Sequence, residues 1–147
     1  MVNVPSVAAE DRRHLHRDLE TVQQERARTT NRIKGLLSRQ GVRITSVHKL
    51  PEPLDALRLW DGSPVPSGLR RRFLRVSAHY QCLNAQIAAW EAERRALLRT
   101  SADANIEKVR QWMQRKGIGI NGSWLLVMEV FGWREWKTRR EVGGLAG

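Results

Sequence analysis

Residues Pro66 to Thr100 read PSGLRRRFLRVSAHYQCLNAQIAAWEAERRALLRT, and this stretch decides the fold. Leu69, Phe73, Val76, Tyr80, Leu83, Ile87, Trp90, Arg94 and Leu97 follow one another in steps of four and three without a break. That alternation keeps one stripe of a helix against a partner helix. Arg94 is the single member of the stripe that is neither apolar nor aromatic. No Gly or Pro interrupts the run after Gly68, and the Ser67 hydroxyl is expected to cap the first free backbone N–H groups. At 1.5 Å per residue the helix would be roughly 50 Å long. A helix of that length does not fit inside the core of a small globule, so it reads as a rod that requires a partner.

The chain supplies a partner upstream. From Val7 to Gln40 a second stripe runs through Leu15, Leu19, Val22, Arg26, Thr29, Ile33, Leu36 and Gln40, polar at three positions, with Gly41 as a helix stop. Residues 1–6 read as an extended lead-in, and 42–65 as a Pro-rich connector. Within the connector, Val42, Ile44 and Val47 suit a short extended piece, Leu54 to Trp60 one or two helical turns, and Asp61-Gly62-Ser63-Pro64 a turn. The two long helices either fold back as an antiparallel hairpin or pair across a dimer. The fold class expected is all-α: a coiled-coil hairpin over 7–100, then a short helical segment over 101–147.

In that last segment Ser101 to Asn105 looks like a small-residue hinge, and Ile106, Val109, Trp112 and Met113 line a short amphipathic helix. Gly117-Ile118-Gly119 followed by a second helix has the form of a helix-hairpin-helix. Thr138-Arg139-Arg140-Glu141 has the form of a capping box opening a last helix. Four of the six Trp lie between residues 112 and 136, more aromatic surface than 46 residues can bury alone.

Charge narrows the partners. The 26 basic residues outnumber the 15 acidic ones by 11, and 21 of the 26 are Arg. The planar guanidinium donates two parallel hydrogen bonds to a phosphate, so nucleic acid is the first expectation and an anionic membrane surface the second. Arg28, Arg32 and Arg39 lie off the stripe of the N-terminal helix and are candidate phosphate contacts. Arg70, Arg71 and Arg72 open the second helix and form another basic group. Arg115 and Lys116 stand beside Gly117 and Gly119, whose turn would let a strand approach the backbone closely. No apolar run approaches a membrane span, and a lone Cys82 rules out an internal disulfide, so no membrane partner and a reducing cytoplasm are expected.

No catalytic or metal-binding set emerges. Glu10 and Asp11 diverge on a helix, as do Glu91 and Glu93, and Ser123 has no nearby base in sequence. Tyr80 occupies the stripe and reads as core, and one Cys with four scattered His gives no zinc spacing.

Three segments, Glu10 to Arg43, Leu69 to Leu98 and Ile106 to Gly147, resemble the middle of the DEDD-type insertion-sequence transposases. The most specific pieces are Asn31-Arg32-Ile33-Lys34-Gly35-Leu36-Leu37, the Gly117-Ile118-Gly119 turn, and the ending Arg139-Arg140-Glu141-Val142-Gly143-Gly144-Leu145-Ala146-Gly147. That bacterial family joins a RuvC-like N-terminal domain to a serine-bearing C-terminal transposase domain. The resemblance implies RNA-guided DNA recombination, with DNA and guide RNA as partners and the rod mediating homo-oligomeric assembly. It also implies a divalent metal, magnesium, held by acidic ligands upstream of this chain, and a catalytic serine downstream of it. No catalytic residue, metal ligand or cofactor is therefore expected within residues 1–147. The chain is expected to be a transposase fragment truncated at both ends, 101–147 being the start of the C-terminal domain. The alternative is a stand-alone helical interaction protein that forms oligomers with an intact transposase.

Overall fold

The computed structural model describes residues 6–44, 46–48, 56–132 and 137–146. The architecture is all-α: α1 (Val7–Ser38), α2 (Ser67–Thr100), α3 (Ala104–Met113), α4 (Ile120–Leu125) continued by a π-helical turn (Leu126–Phe131), and α5 (Arg139–Ala146). Among the described residues there is no strand, only an isolated bridge between Arg58 and Pro64. The chain forms two compact units. One comprises residues 20–89, the hairpin unit; the other comprises 1–19 with 90–147, the tryptophan unit.

In the hairpin unit the two stripes meet in one chain. Ile33, Leu36 and Leu37 of α1 pack with Phe73, Val76 and Tyr80 of α2 and with Val47, all buried, while Val42, Ile44 and Leu57 close over them. The helices run antiparallel: Arg26 Nη1 donates to Asn84 Oδ1 at 3.4 Å, and Arg32, one and a half turns on, shares a cleft with Arg71, Arg72 and Arg75. The polar members of the α1 stripe are accommodated individually. Thr29 is buried, and Arg26 uses its length to reach Asn84.

Gly41 ends α1 as its position suggested. Its φ is 74°, the Val42 N–H donates to Leu37 O at 3.0 Å, and the Gly41 N–H donates to Ser38 O at 3.0 Å. This double closure requires a left-handed residue just past the helix. A Cβ at Gly41 would also lie 2.7 Å from the Cβ of Trp60.

Three local expectations are corrected. Ser67 does not cap α2 but is its first residue, and the Pro66 carbonyl accepts from the Arg70 N–H at 2.9 Å. The expected helical turns over 54–60 are absent among the described residues 56–60. There the Asp61 carboxylate accepts from the Ser63 N–H at 2.9 Å and from its hydroxyl at 2.6 Å, closing the Arg58–Pro64 loop instead. Val42, Ile44 and Val47 form no strand but serve as a lid of side chains on the hairpin core. Residues 1–5, part of the expected lead-in, lie outside the described residues, as do Leu54, Trp133 and Trp136.

The tryptophan unit is built on α3 and α4. Asp103 caps α3, its carboxylate accepting from the N–H groups of Asn105 at 2.9 Å and Ile106 at 3.3 Å, so Ala104 and Asn105 are helical rather than hinge. Ile106 and Val109 face Trp124, Val127 and Met128, with Leu15, Leu97, Leu98 and Trp112 packed around them. Of the four Trp expected to need outside cover, Trp112 and Trp124 are described, and the ends of the two long helices supply part of it through Leu15, Leu97 and Leu98. The Trp124 Nε1–H donates to the Arg12 carbonyl at 3.1 Å, and Trp112 stacks on Phe131 with ring centroids 5.6 Å apart. The helix widens after Leu125, and the Gly132 N–H closes on Val127 O. A Cβ at Gly132 would meet that same oxygen at 2.6 Å, which reserves the position for glycine. At α5 the expected capping pair forms: Glu141 N–H faces Thr138 Oγ1 at 3.4 Å, and the Glu141 carboxylate accepts from the Lys137 N–H at 2.9 Å.

An ion cluster ties the tryptophan unit together. Glu129 accepts from Arg13 Nη2 at 2.8 Å and from Arg17 Nε at 3.0 Å. Burial pushes the Glu129 carboxyl upward, but the two guanidinium hydrogen bonds outweigh it and hold the group below its usual 4.5, while Glu129 raises Arg13. A carboxyl depressed on folding contributes stability at neutral pH and loses it as pH falls through the folded value. Glu129→Gln should therefore cost about 1–3 kcal/mol at neutral pH, because Arg13 and Arg17 lose the carboxylate they share, with Glu10 remaining to Arg13. Melting curves of parent and variant should converge on acidification below about pH 4.5. A gap independent of pH would show that packing, not the ion pair, is lost.

Candidate nucleic-acid interface

The basic residues become a site where the hairpin brings two helices side by side. The stripe Leu69, Phe73, Val76 and Tyr80 turns inward, which leaves Arg71, Arg72 and Arg75 exposed on the flank of α2. Arg32, exposed on α1, stands opposite them. These four guanidinium groups, with Gly68 and Val76, line a cleft of about 450 Å³. Among the described residues no carboxylate lines it, and none of the four Arg has an acidic partner within 4.0 Å. Four unneutralised forks at one groove repel one another and attract a polyanion. Gly68 adds no side chain to the groove wall, so a ligand would meet backbone there.

Arg75 was not singled out from sequence, although the signal was present. It lies four residues beyond Arg71 and three beyond Arg72, the helical spacing that places all three on one strip. Arg28, Arg39 and Arg70 are exposed but do not line the cleft. Arg115, Lys116, Gly117 and Gly119 belong to the tryptophan unit. Gly117 has φ 86°, and Gly119 precedes α4 with no side-chain cap, so the turn is open and basic, with all four residues exposed.

Of the groups weighed for catalysis, Glu10 and Glu91 are ion-paired, while Ser123 and Tyr80 are buried. Glu10 pairs with Arg13 at 2.8 Å, and Glu91 lies 3.8 Å from Arg95. Ser123 is fully buried beside Trp124, where no substrate reaches it. Tyr80 is buried with its hydroxyl 3.1 Å from His48 Nδ1. Among the described residues no group of three or more His, Cys, Asp or Glu could hold a metal ion, and no helix is long and apolar enough to cross a membrane.

Comparison with known proteins gives these features a context. The sequence is 34% identical, over an alignment of 156 positions, to the protein named "Putative transposase y4rJ" of Sinorhizobium fredii (strain NBRC 101917 / NGR234). The alignment takes in the whole of this chain and 39% of that relative. The chain is homologous to part of a transposase-like protein. No family model matches it, and no solved structure matches it.

Proposed function

We propose that this chain is the nucleic-acid-contacting and assembly segment of an insertion-sequence transposase of the DEDD type, working beside catalytic groups that residues 1–147 do not contain. The observation that carries the proposal is the cleft of Arg32, Arg71, Arg72 and Arg75, with no acid in its lining among the described residues. Homology along the whole chain to a putative transposase supports the same reading. Guanidinium forks at this spacing suit the phosphates of a DNA or RNA backbone, positioning a strand without reading its bases. In this reading residues 7–100 hold the strand and assemble copies of the protein. Residues 101–147 begin the domain that carries the chemistry, and the open turn at Arg115 to Gly119 is a second place for a phosphate. Guide RNA and target DNA are the ligands, and magnesium serves the upstream acidic site.

The test is a fluorescence-anisotropy titration of labelled DNA duplex, DNA single strand and RNA. Binding should fall steeply with salt, because each neutralised phosphate releases counterions. If the chain binds none of the three even at low salt, the alternative stands: a helical protein that acts by joining oligomers of an intact transposase.

A further inference from the structure

A second cationic site lies in the tryptophan unit, apart from the arginine cleft of the hairpin unit. Arg94 occupies a stripe position of α2 and is only 3% exposed, yet its Nε and Nη1 are buried with no hydrogen-bond partner. Its Cζ lies 5.9 Å from the centroid of the Trp124 ring, which offers π-electron density but no acceptor. Burial lowers the Arg94 pKa, the nearby Glu91 raises it, and Arg95 lowers it further. Glu91 already lies 3.8 Å from Arg95, so it does not serve Arg94 alone. A buried guanidinium left in this state is costly unless something brings it a negative charge.

The surroundings indicate what that would be. Arg94 lines a cavity of about 590 Å³ together with Arg95, Arg99, Asn121 and one acid, Glu91, with Leu98, Met113 and Ile120 forming an apolar wall; three cations against one carboxylate leave the lining net positive. Arg95 and Arg99 are exposed and Arg94 is buried, so a ligand meets two solvent-facing cations before the buried one. We propose that this cavity is a phosphate-binding site, with Arg94 as the fixed fork, Arg95 and Arg99 as the recruiting charges, and Asn121 as an additional donor. The apolar wall of Leu98 and Met113 suits the body that carries the phosphate, either a free nucleotide or one residue of a nucleic-acid strand. The site does not depend on the arginine cleft, and its failure would leave the reading of that cleft untouched.

The test follows thermal melting and Trp fluorescence of the full chain at constant ionic strength, replacing chloride by inorganic phosphate, by a 5′-mononucleotide, or by a short single strand. The strand is added to the Arg32→Gln/Arg71→Gln/Arg72→Gln/Arg75→Gln background, so that the cleft does not contribute. At a hundredfold excess over Kd, the melting temperature should rise by about 5–10 °C. Arg94→Met should melt at or above the parent temperature without ligand, because it removes an unpaired buried charge, and it should no longer respond to phosphate. Arg94→Lys, which keeps the charge but not the fork, should respond weakly. Arg95→Gln/Arg99→Gln cuts only exposed side chains and should weaken binding at least tenfold; it serves as the test if Arg94→Met does not fold. A larger response to the nucleotide than to the strand identifies a free small molecule as the source, and the reverse identifies nucleic acid. The proposal is overturned if neither phosphate nor the nucleotide shifts the parent and the strand does not shift the cleft-less background, or if adding the Arg94 or Arg95/Arg99 changes leaves those responses unaltered.

Discussion

Replacing Trp124 by Ala is expected to cost about 3–5 kcal/mol, the range for removing a large aromatic from a packed core. Trp124 is fully buried among Ile106, Val109, Val127 and Met128, so little can collapse into the space. The substitution also removes two polar contacts. The Arg12 carbonyl loses its donor at 3.1 Å, and the Arg94 guanidinium loses the ring beneath it. Urea unfolding monitored by near-ultraviolet circular dichroism checks this directly. Trp124→Phe separates the contributions, since it retains most of the apolar area and loses the indole N–H, and it should cost less than the Ala change. Equal and small costs for both would mean that residue 124 is not at the centre of this unit.

Phe73→Ala should have a comparable effect on the hairpin unit, again about 3–5 kcal/mol. Phe73 is 1% exposed and packs with Ile33, Leu36 and Val76. Its neighbour Leu74 is 40% exposed and serves as the control, because surface changes usually stay within about 0.5 kcal/mol. The pair of variants tests the helix register as well as the packing. Were the stripe displaced by one residue, Leu74→Ala would be the costly change and Phe73→Ala the mild one.

The stripes were legible because steps of four and three leave no other face for a helix to bury. Phe73, Val76, Tyr80, Leu83 and Ile87 are all buried in the structure, as are Leu19, Val22, Ile33 and Leu36. Gly41 was legible for a similar reason: a helix that stops needs a residue that accepts positive φ. The connector was less so. Leu54 to Trp60 has a local helical composition, but the Asp61 carboxylate and Ser63 close a loop through hydrogen bonds that no periodicity reveals. The widened turn at Leu126–Phe131 was also hidden, because it depends on the close approach of Gly132 to Val127.

The candidate site was half legible. Charge counting found Arg32, Arg71 and Arg72, but which arginines share a groove depends on how two distant helices align. Arg28, exposed on α1, and Arg39, exposed in the turn just past its end, do not line that groove. Arg94 read as a polar flaw in an apolar stripe. Only the packing around Trp124 shows it as a buried cation with two nitrogens, Nε and Nη1, lacking a hydrogen-bond partner.

The central claim is that the arginine cleft holds a phosphate backbone, and one measurement tests it most directly. Affinity for duplex DNA is titrated against salt for the parent and for Arg32→Gln/Arg71→Gln/Arg72→Gln/Arg75→Gln, after circular dichroism has shown equal helicity. Four lost phosphate contacts should flatten the slope of log K against log salt by up to ~3.6, so a fourfold rise in salt costs the parent up to ~150-fold more affinity than the variant. A variant that binds with the parent's affinity and the parent's slope would contradict the claim, and the cleft would then be no more than a solvated face of two helices.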